Sequence, residues 1–211
     1  MTFLATWQFA ISALVTLLVV VDPIGLAPSF LAITTGFKPA QRRAVAIRAS
    51  VIATLILFGT ALIGEWLLRT LGISLPAFRI AGGLLLFSIA SEMVLGVRTQ
   101  RQSETAEQAI DECARNIAAF PLAIPLMAGP GAITATVLLA GRTNGDWMQL
   151  STLFAVIVLV ALSCAVTFMI ASRVAKFLGI SGNAVLSRLL GVVLAALAVQ
   201  FVVDGVRALL A

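Results

Sequence analysis

Long apolar stretches separated by short polar connections run along the whole chain. A helix needs roughly 20 apolar residues to cross a hydrocarbon core about 30 Å thick. Six stretches reach that length, at residues 7–36, 44–70, 75–97, 116–141, 148–172 and 185–210. The pattern therefore predicts an all-α, polytopic membrane protein with six transmembrane helices, and it leaves little chain for a soluble domain.

Proline and glycine interrupt two of these stretches where a lipid-facing helix would tolerate them least. The first interruption is residues 22–25 (Asp-Pro-Ile-Gly), and the second is residues 129–131 (Gly-Pro-Gly). In hydrocarbon each backbone polar group needs an internal partner, so a gap in a helix survives only where protein or a water-filled cavity shields it. We therefore predict that the first and fourth helices are broken and border a buried polar cavity.

A short motif recurs in the second half of the chain. Residues 71–74 (Leu-Gly-Ile-Ser) return as residues 178–181, and each copy precedes an apolar stretch that opens with Arg-x-x-Gly. The spacing predicts a single transmembrane domain over residues 1–211, with repeat 1 at 1–98, a polar cytoplasmic linker at 99–115 and repeat 2 at 116–211. Three crossings in each repeat would invert the second relative to the first. The matching pairs are Arg79 with Arg188, Gly82 with Gly191 and Gly96 with Gly205.

Composition supports a membrane protein and suggests its orientation. Hydrophobic residues make up 61% of the 211 and charged residues 11%, and the mean hydropathy is +1.10. The formal charge of +5 is scattered over short loops, so no nucleic-acid partner is predicted. Basic residues concentrate in the first, third and fifth connections, which predicts cytoplasmic loops there and two periplasmic termini. Trp7, Trp66 and Trp147 are expected at the periplasmic interface.

Neither a metal site nor a cofactor is predicted. Cys113 falls in the polar linker and Cys164 in an apolar stretch, so a disulfide or a metal cage is not expected. The acidic residues of the linker are interpreted as a solvated surface. Charged residues near helix ends are interpreted as interfacial, and Gln200 as a link between helices. The interfacial residues are Glu65, Arg79, Glu92, Arg188 and Asp204.

The two interruptions offer complementary chemistry for a zwitterion. The prolines at 23, 28 and 130 are expected to free the carbonyls of Val19, Ile24 and Leu126, and freed carbonyls attract cations. The N–H groups of each restarted helix attract a carboxylate. A small amino acid carries both charges. The candidate substrate-binding residues are Asp22, Pro23, Gly25, Gly129, Pro130, Gly131 and Thr134.

Each candidate also has a structural interpretation. Asp22 either binds an ammonium group or a coupling proton at membrane depth, or caps a restarted helix before proline. Residues 129–131 either line the site or allow close helix packing. Thr134 and Thr136 either offer hydroxyls to a substrate or bond to carbonyls of their own helix.

These interruptions resemble the signature segments of the MarC family of bacterial inner-membrane proteins. The resemblance rests on residues 22–25 with Pro28 and on residues 121–133 (Pro-Leu-Ala-Ile-Pro-Leu-Met-Ala-Gly-Pro-Gly-Ala-Ile), and it extends over essentially the full chain. It implies six helices in two inverted repeats, an inner-membrane location and kinship with LysE-type exporters. It also implies transport of neutral amino acids coupled to cations or protons, as described for some members.

The leading prediction is a secondary transporter for small, amino acid-like solutes in contact with membrane lipid, with its oligomeric state left open. A passive channel or a non-transporting membrane partner is the alternative, since broken helices also line pores. An intramembrane enzyme is disfavoured because the chain contains no histidine and no second buried carboxylate is evident beside Asp22.

Overall fold

The protein is helical throughout the residues that its computed structural model describes, which are 2–98, 118–143 and 145–210. The predicted linker at 99–115, with Cys113, lies outside these residues. We number the helices along the chain. They are α1 (Thr2–Val21), α2 (Ala27–Ile33), α3 (Pro39–Thr70), α4 (Leu75–Leu95), α5 (Ala118–Met127), α6 (Pro130–Arg142), α7 (Trp147–Met169) and α8 (Ala171–Leu210).

Among the described residues, four helical segments are long and apolar enough to cross a membrane. They are α3, α4, α7 and the Ser181–Leu210 part of α8. The first and fourth predicted spans are instead each divided in two, into α1 with α2 and α5 with α6. The all-α, polytopic architecture and the two predicted helix breaks therefore agree with the structure.

Two helix starts differ from the predicted boundaries. α3 begins at Pro39 rather than near residue 44, because proline suits the first turn and Lys38 N–H donates to Gln41 Oε1 over 2.9 Å. α8 begins at Ala171 and bends at the non-helical Gly179, and its membrane-length part, Ser181–Leu210, begins close to the predicted residue 185. The apolar pattern missed this first part of α8 because Arg173 and Lys176 make it polar.

The recurring four-residue motif has a positive φ at its glycine in both halves. Gly72 has φ 72° and Gly179 has φ 62°, a left-handed region that glycine enters without the strain of a Cβ. A Cβ built on either glycine would meet nothing within 4 Å, so conformation rather than space selects glycine there. Each motif copy leads directly into a membrane-length helix, and Ser74 caps the first by accepting from Ala77 N–H.

Helices α4 and α8 form an antiparallel pair that glycines hold close together. A Cβ on Gly83 in α4 would lie 2.8 Å from the Ala198 carbonyl oxygen of α8. At one end of the pair Gly205 faces Pro76, and at the other Gly191 faces the Ala90 carbonyl. Small residues let helix backbones approach in lipid, where apolar surface alone gives little preference for helix over acyl chain.

The three tryptophans are exposed and lie at one end of the helix bundle. Thr6 Oγ1 contacts Met148 Sδ at 3.7 Å, which places the starts of α1 and α7, with Trp7 and Trp147, side by side. The end of α3, which carries Trp66, packs against α6 through Gly64. This arrangement fits the predicted aromatic interface, whereas the side of the membrane on which it lies is not tested.

Gly83→Ala should destabilise the protein, because its methyl group would press on the backbone of α8. Overpacking of this kind costs about 1–3 kcal/mol, which corresponds to a melting temperature lower by roughly 2–9 °C. Thermal melting in detergent measures the change. Gly59→Ala in α3 is the matched control, since nothing lies within 4 Å of its Cβ position, and it should leave the melting temperature unchanged or slightly raised. Equal melting temperatures for both variants would contradict the close α4–α8 contact.

Candidate functional site

The first break is closed by the side chain of Asp22. Asp22 is 3% exposed and has φ 53°, which ends α1. Its Oδ1 accepts a hydrogen bond from Gly25 N–H at 3.0 Å, and its carbonyl accepts from Leu26 N–H at 3.1 Å. A Cβ on Gly25 would collide with the Asp22 carboxylate. Asp22 therefore closes the turn between the two helices and does not cap α2, whose N-cap is Leu26 without a side-chain bond, and Gly25 is needed for space.

Helix α2 restarts the chain beyond this break and is fixed to α7. The Phe30 ring of α2 stacks on Phe168 of α7, with 4.6 Å between centroids and 5° between planes. Both rings are almost fully buried. The stack holds the short α2 in place, because a helix of seven residues has little stability alone.

Arg98, two residues beyond the Gly96 cap of α4, reaches back into the first break. Its Nη2 donates to the Val20 carbonyl oxygen at 2.6 Å, and its Nη1 lies 3.0 Å from Met93 Sδ. Asp22 and Glu92 interact electrostatically with its guanidinium. Arg98 was counted in the sequence only as a basic loop residue. The expectation that a break attracts cations was the one signal that pointed toward such a side chain.

One of the expected carbonyls, that of Ile24, behaves differently from the prediction. The Ile24 carbonyl, expected to be freed by Pro28, accepts from Ala27 N–H at 3.1 Å. The prediction was wrong because the chain turns tightly between α1 and α2 and supplies a closer donor. At the end of α1, the carbonyl of Val20 accepts a hydrogen bond from a cationic side chain, the guanidinium of Arg98. In a continuous helix the Val20 carbonyl would accept from Ile24 N–H. This bond is not made, because α1 ends at Val21.

The second break joins two different kinds of helix. α5 has wide turns, in which Ala128 N–H donates to the Ala123 carbonyl five residues earlier, at 2.8 Å. Gly129 is extended (φ −79°, ψ 175°) and lies against the Pro125 carbonyl, and Pro130 opens α6. A Cβ on Gly131 would lie 3.2 Å from Val20 Cγ1 and 2.6 Å from Ile89 Cδ1. Gly131 therefore brings the second break against α1 and α4.

A small cavity lies where the two breaks approach each other, and we call it the break cavity. Its volume is about 160 Å³, and Val20, near the end of α1 and beside the first break, borders it together with Ile89, Glu92 and Arg98 from the α4 side. Ligand pockets for drug-sized molecules enclose roughly 300–1,000 Å³, so this one suits a much smaller solute. The second break supplies the rest of its lining, which is Pro125, Leu126, Met127, Gly129, Pro130, Gly131 and Ala132.

A larger cavity of about 640 Å³, which we call the α8 cavity, lies on the other side of the first break. Ile24, Ala27 and Pro28 form one wall, and the region around the Gly179 bend forms another. Asn183 and Ser187 are its buried polar residues, with Arg188 beside them. Met93 lines the α8 cavity and contacts Arg98 of the break cavity, so this contact lies at the boundary between the two.

The predicted site residues separate into two groups. Gly129, Pro130 and Gly131 line the break cavity. Asp22, Pro23, Gly25 and Thr134 are buried but line neither of the two described cavities, and Asp22 is linked to the break cavity only through Arg98. Thr134 packs its methyl group against Gly82 of α4. The Thr136 hydroxyl donates to the Ala132 carbonyl of its own helix at 2.7 Å.

A cluster of charged residues closes the opposite, tryptophan end of the bundle. Arg142 at the end of α6 pairs with Asp204 of α8 at 2.8 Å and lies 4.6 Å from the centre of the Phe201 ring. Gln200 donates to Asp204 at 2.7 Å, within α8 and not between helices as expected. Arg79 is less interfacial than expected, since its Nε is buried and has no hydrogen-bond partner among the described residues.

Comparison with known proteins agrees with this architecture. The profile of the MarC family of integral membrane proteins matches residues 7–210. The chain belongs to the MarC family. It is 38% identical over 206 residues to a UPF0056 membrane protein of Archaeoglobus fulgidus, and the alignment covers 94% of this chain and 92% of the relative. It is 36% identical over 194 residues to the UPF0056 membrane protein YhcE of Escherichia coli, and the alignment covers 90% of this chain and 88% of YhcE.

No solved structure matches this MarC protein significantly. Family membership confirms the predicted resemblance and the integral membrane character of the chain.

Asp204→Asn should destabilise this MarC protein, because it leaves the half-buried Arg142 without its anionic partner. Hydrogen bonds to charged groups contribute about 1.5–3 kcal/mol, and the partial exposure of both side chains puts the loss at the lower end. Thermal melting in detergent measures it. The matched control is Glu65→Gln, which removes the exposed Glu65–Arg69 pair at the same end. That change should shift the melting temperature far less. Equal shifts would rule out a special role for the Arg142–Asp204 pair.

Proposed function

We propose that this MarC protein is a secondary transporter of small neutral amino acids or similar solutes, built from six membrane-crossing segments in two inverted repeats. The observation that carries the proposal is the meeting of the two helix breaks. Gly131 of the second break packs on Val20 beside the first, and both border the break cavity. Broken helices that meet at a shielded site are typical of secondary transporters.

The inverted repeat is supported by reciprocal contacts between α4 and α8. Gly205 of the second half lies against Arg79 of the first, and Gly96 of the first half lies 3.8 Å from the Arg188 guanidinium of the second. These residues are the pairs that the sequence spacing matches. A two-fold axis in the membrane plane exchanges the two contacts, because it maps each half onto the other in the opposite direction.

The break cavity suits a zwitterion. The start of α6 presents backbone N–H groups from residues 131 and 132 beside the cavity, and the positive end of a helix dipole favours a carboxylate. On the other side lie Val20 and the Glu92 carboxylate, with Asp22 outside the cavity and linked to it through Arg98, and these oxygen atoms favour an ammonium group. A cavity of about 160 Å³ restricts the solute to the smallest amino acids and molecules of similar size.

Alternating access is supported by the unequal ends of the bundle. Both described cavities lie toward the C-terminal end of α4, whereas the ion pair between Arg142 and Asp204 joins α6 to α8 at the tryptophan end. Positive residues concentrate at the cavity end, so we propose that the conformation faces the cytoplasm of a bacterial inner membrane and that both termini are periplasmic. Rocking of the two repeats would open the opposite end.

A carrier accounts for this arrangement better than a passive channel or a non-transporting partner, because one end is closed by charge pairing while a cavity opens from the other. Enzymatic chemistry is not part of the proposal, since the chain has no histidine to serve as an acid, base or ligand.

Counterflow in reconstituted vesicles tests the proposed function. Vesicles preloaded with unlabelled glycine should accumulate radiolabelled glycine transiently and saturably. Asp22→Asn should reduce the initial rate by at least about tenfold, equivalent to about 1.4 kcal/mol. Asparagine keeps an oxygen for Gly25 N–H but removes the buried charge.

The matched control is Asp146→Asn, which makes the same chemical change at an exposed cap of α7 and should retain full activity. Protein-free vesicles measure leakage. Saturable counterflow of neither glycine nor any member of an amino acid panel would contradict the transporter, and non-saturable flux without counterflow would indicate a channel.

A further inference from the structure

Arg98 lies where a bound cation would be expected, and this placement suggests a role in transport. We propose that in this conformation the Arg98 guanidinium occupies a cation site at the first helix break, and that a monovalent cation displaces it during transport. The cation is either the ammonium group of the substrate or an inorganic coupling ion. The inference rests on the proposed function. It adds that Arg98, a residue of the chain itself, competes with the transported cation for the same oxygen atoms.

The site is formed by oxygen atoms that the break leaves without helical donors. The Val20 carbonyl is unavailable to the α1 ladder because the chain turns away at Asp22, and it accepts from Arg98 Nη2 at 2.6 Å. A bond this short is typical of a charge-assisted hydrogen bond. Oxygen ligands of this kind, together with a carboxylate, also suit ammonium groups and alkali cations.

The charges around this site require a cation. Asp22 is 3% exposed, and its only hydrogen bond from a described side chain or loop N–H to the carboxylate comes from Gly25. Arg98 interacts electrostatically with both Asp22 and Glu92. A carboxylate at membrane depth is costly without a positive partner. If Arg98 leaves, another cation must take its place or the carboxylate must be neutralised, which ties Arg98 movement to cation binding.

Arg98 is attached in a way that permits its release. It follows Gly96, whose φ of 80° ends α4, so it lies outside the α4 ladder. Hydrogen bonds to Val20 and Met93 hold its guanidinium beside the Asp22 and Glu92 carboxylates. Since Met93 lines the α8 cavity while Arg98 lines the break cavity, withdrawal of the guanidinium would join the two spaces. Displacement by a cation would thereby also open a path from the larger cavity to the break.

An alternative role for Arg98 is to bind the carboxylate of the substrate directly. The two roles predict opposite effects of removing the guanidinium. A competitor weakens apparent substrate binding, so its loss lowers the half-saturating concentration. A carboxylate anchor strengthens binding, so its loss raises that concentration.

Counterflow kinetics with glycine distinguish these roles. Arg98→Gln should lower the half-saturating concentration of glycine or of sodium by about three- to tenfold. The transport rate of this variant should also depend less on the sodium gradient across the membrane. Arg98→Lys keeps a cation but loses the two-pronged guanidinium contact, so its half-saturating concentration should lie between those of wild type and Arg98→Gln. Arg48→Gln, an exposed arginine of α3, is the matched control and should change neither value. An increased or unchanged half-saturating concentration in Arg98→Gln would overturn the proposal.

A second experiment does not depend on transport. The melting temperature of purified Arg98→Ala is titrated with methylguanidinium, sodium or choline chloride at constant ionic strength. We expect methylguanidinium to raise it saturably by about 2–4 °C, and we expect no such rise in wild type, in Arg48→Ala or in Asp22→Asn/Arg98→Ala. If Arg98→Ala does not fold, Arg98→Gln replaces it in the same titration.

The outcomes of the two experiments separate the two proposals. Stabilisation of Arg98→Ala by methylguanidinium without any counterflow in wild type would retain the cation site and reject the transporter. Counterflow in wild type with no cation-specific stabilisation of either Arg98 variant would retain the transporter and overturn the role of Arg98.

Discussion

This structure depends on one constraint: away from water, every backbone N–H and carbonyl group needs a hydrogen-bond partner. A continuous helix satisfies these groups with its own hydrogen bonds, whereas the two helix breaks leave some of them without a helical partner. At the first break the carboxylate of Asp22 binds Gly25 N–H, and Arg98 binds the Val20 carbonyl. At the second, α5 uses bonds to the fifth residue back and α6 starts with proline, which has no N–H to satisfy. Each break is thus stabilised by a different chemical device.

Close packing around the breaks follows from the same constraint. The breaks need protein on all sides, and glycines provide the closeness. Gly131 brings the second break to Val20, and Gly83 and Gly191 bring α8 to α4, the helix that carries Glu92 and ends shortly before Arg98. The break cavity is the space left where these contacts end. The two charged residues that line it and the ion pair at the tryptophan end are the features on which the proposed carrier function rests.

Local signals in the sequence predicted much of this fold, and contacts between distant residues limited the rest. The breaks at 22–25 and 129–131 were predictable because proline and glycine act on their own turn. The left-handed Gly72 and Gly179 follow from the recurring motif. Arg98 was not predictable as a site residue, because its contact with Val20 spans 78 positions and depends on the turn at Gly96. Thr134 failed to reach either cavity for a similar reason, since its methyl group packs on Gly82 of α4.

The contact between the two breaks can be measured directly by disulfide cross-linking in membranes. The pair Val20→Cys/Gly131→Cys is introduced with Cys113→Ser and Cys164→Ala, together with a protease site between residues 99 and 115. After oxidation and cleavage, we predict that the two halves remain joined on a non-reducing gel. The control pair Val20→Cys/Gly59→Cys should separate, because no described atom lies near the Gly59 Cβ position. Separation of the halves in both pairs would show that the breaks do not meet and would contradict a shared site.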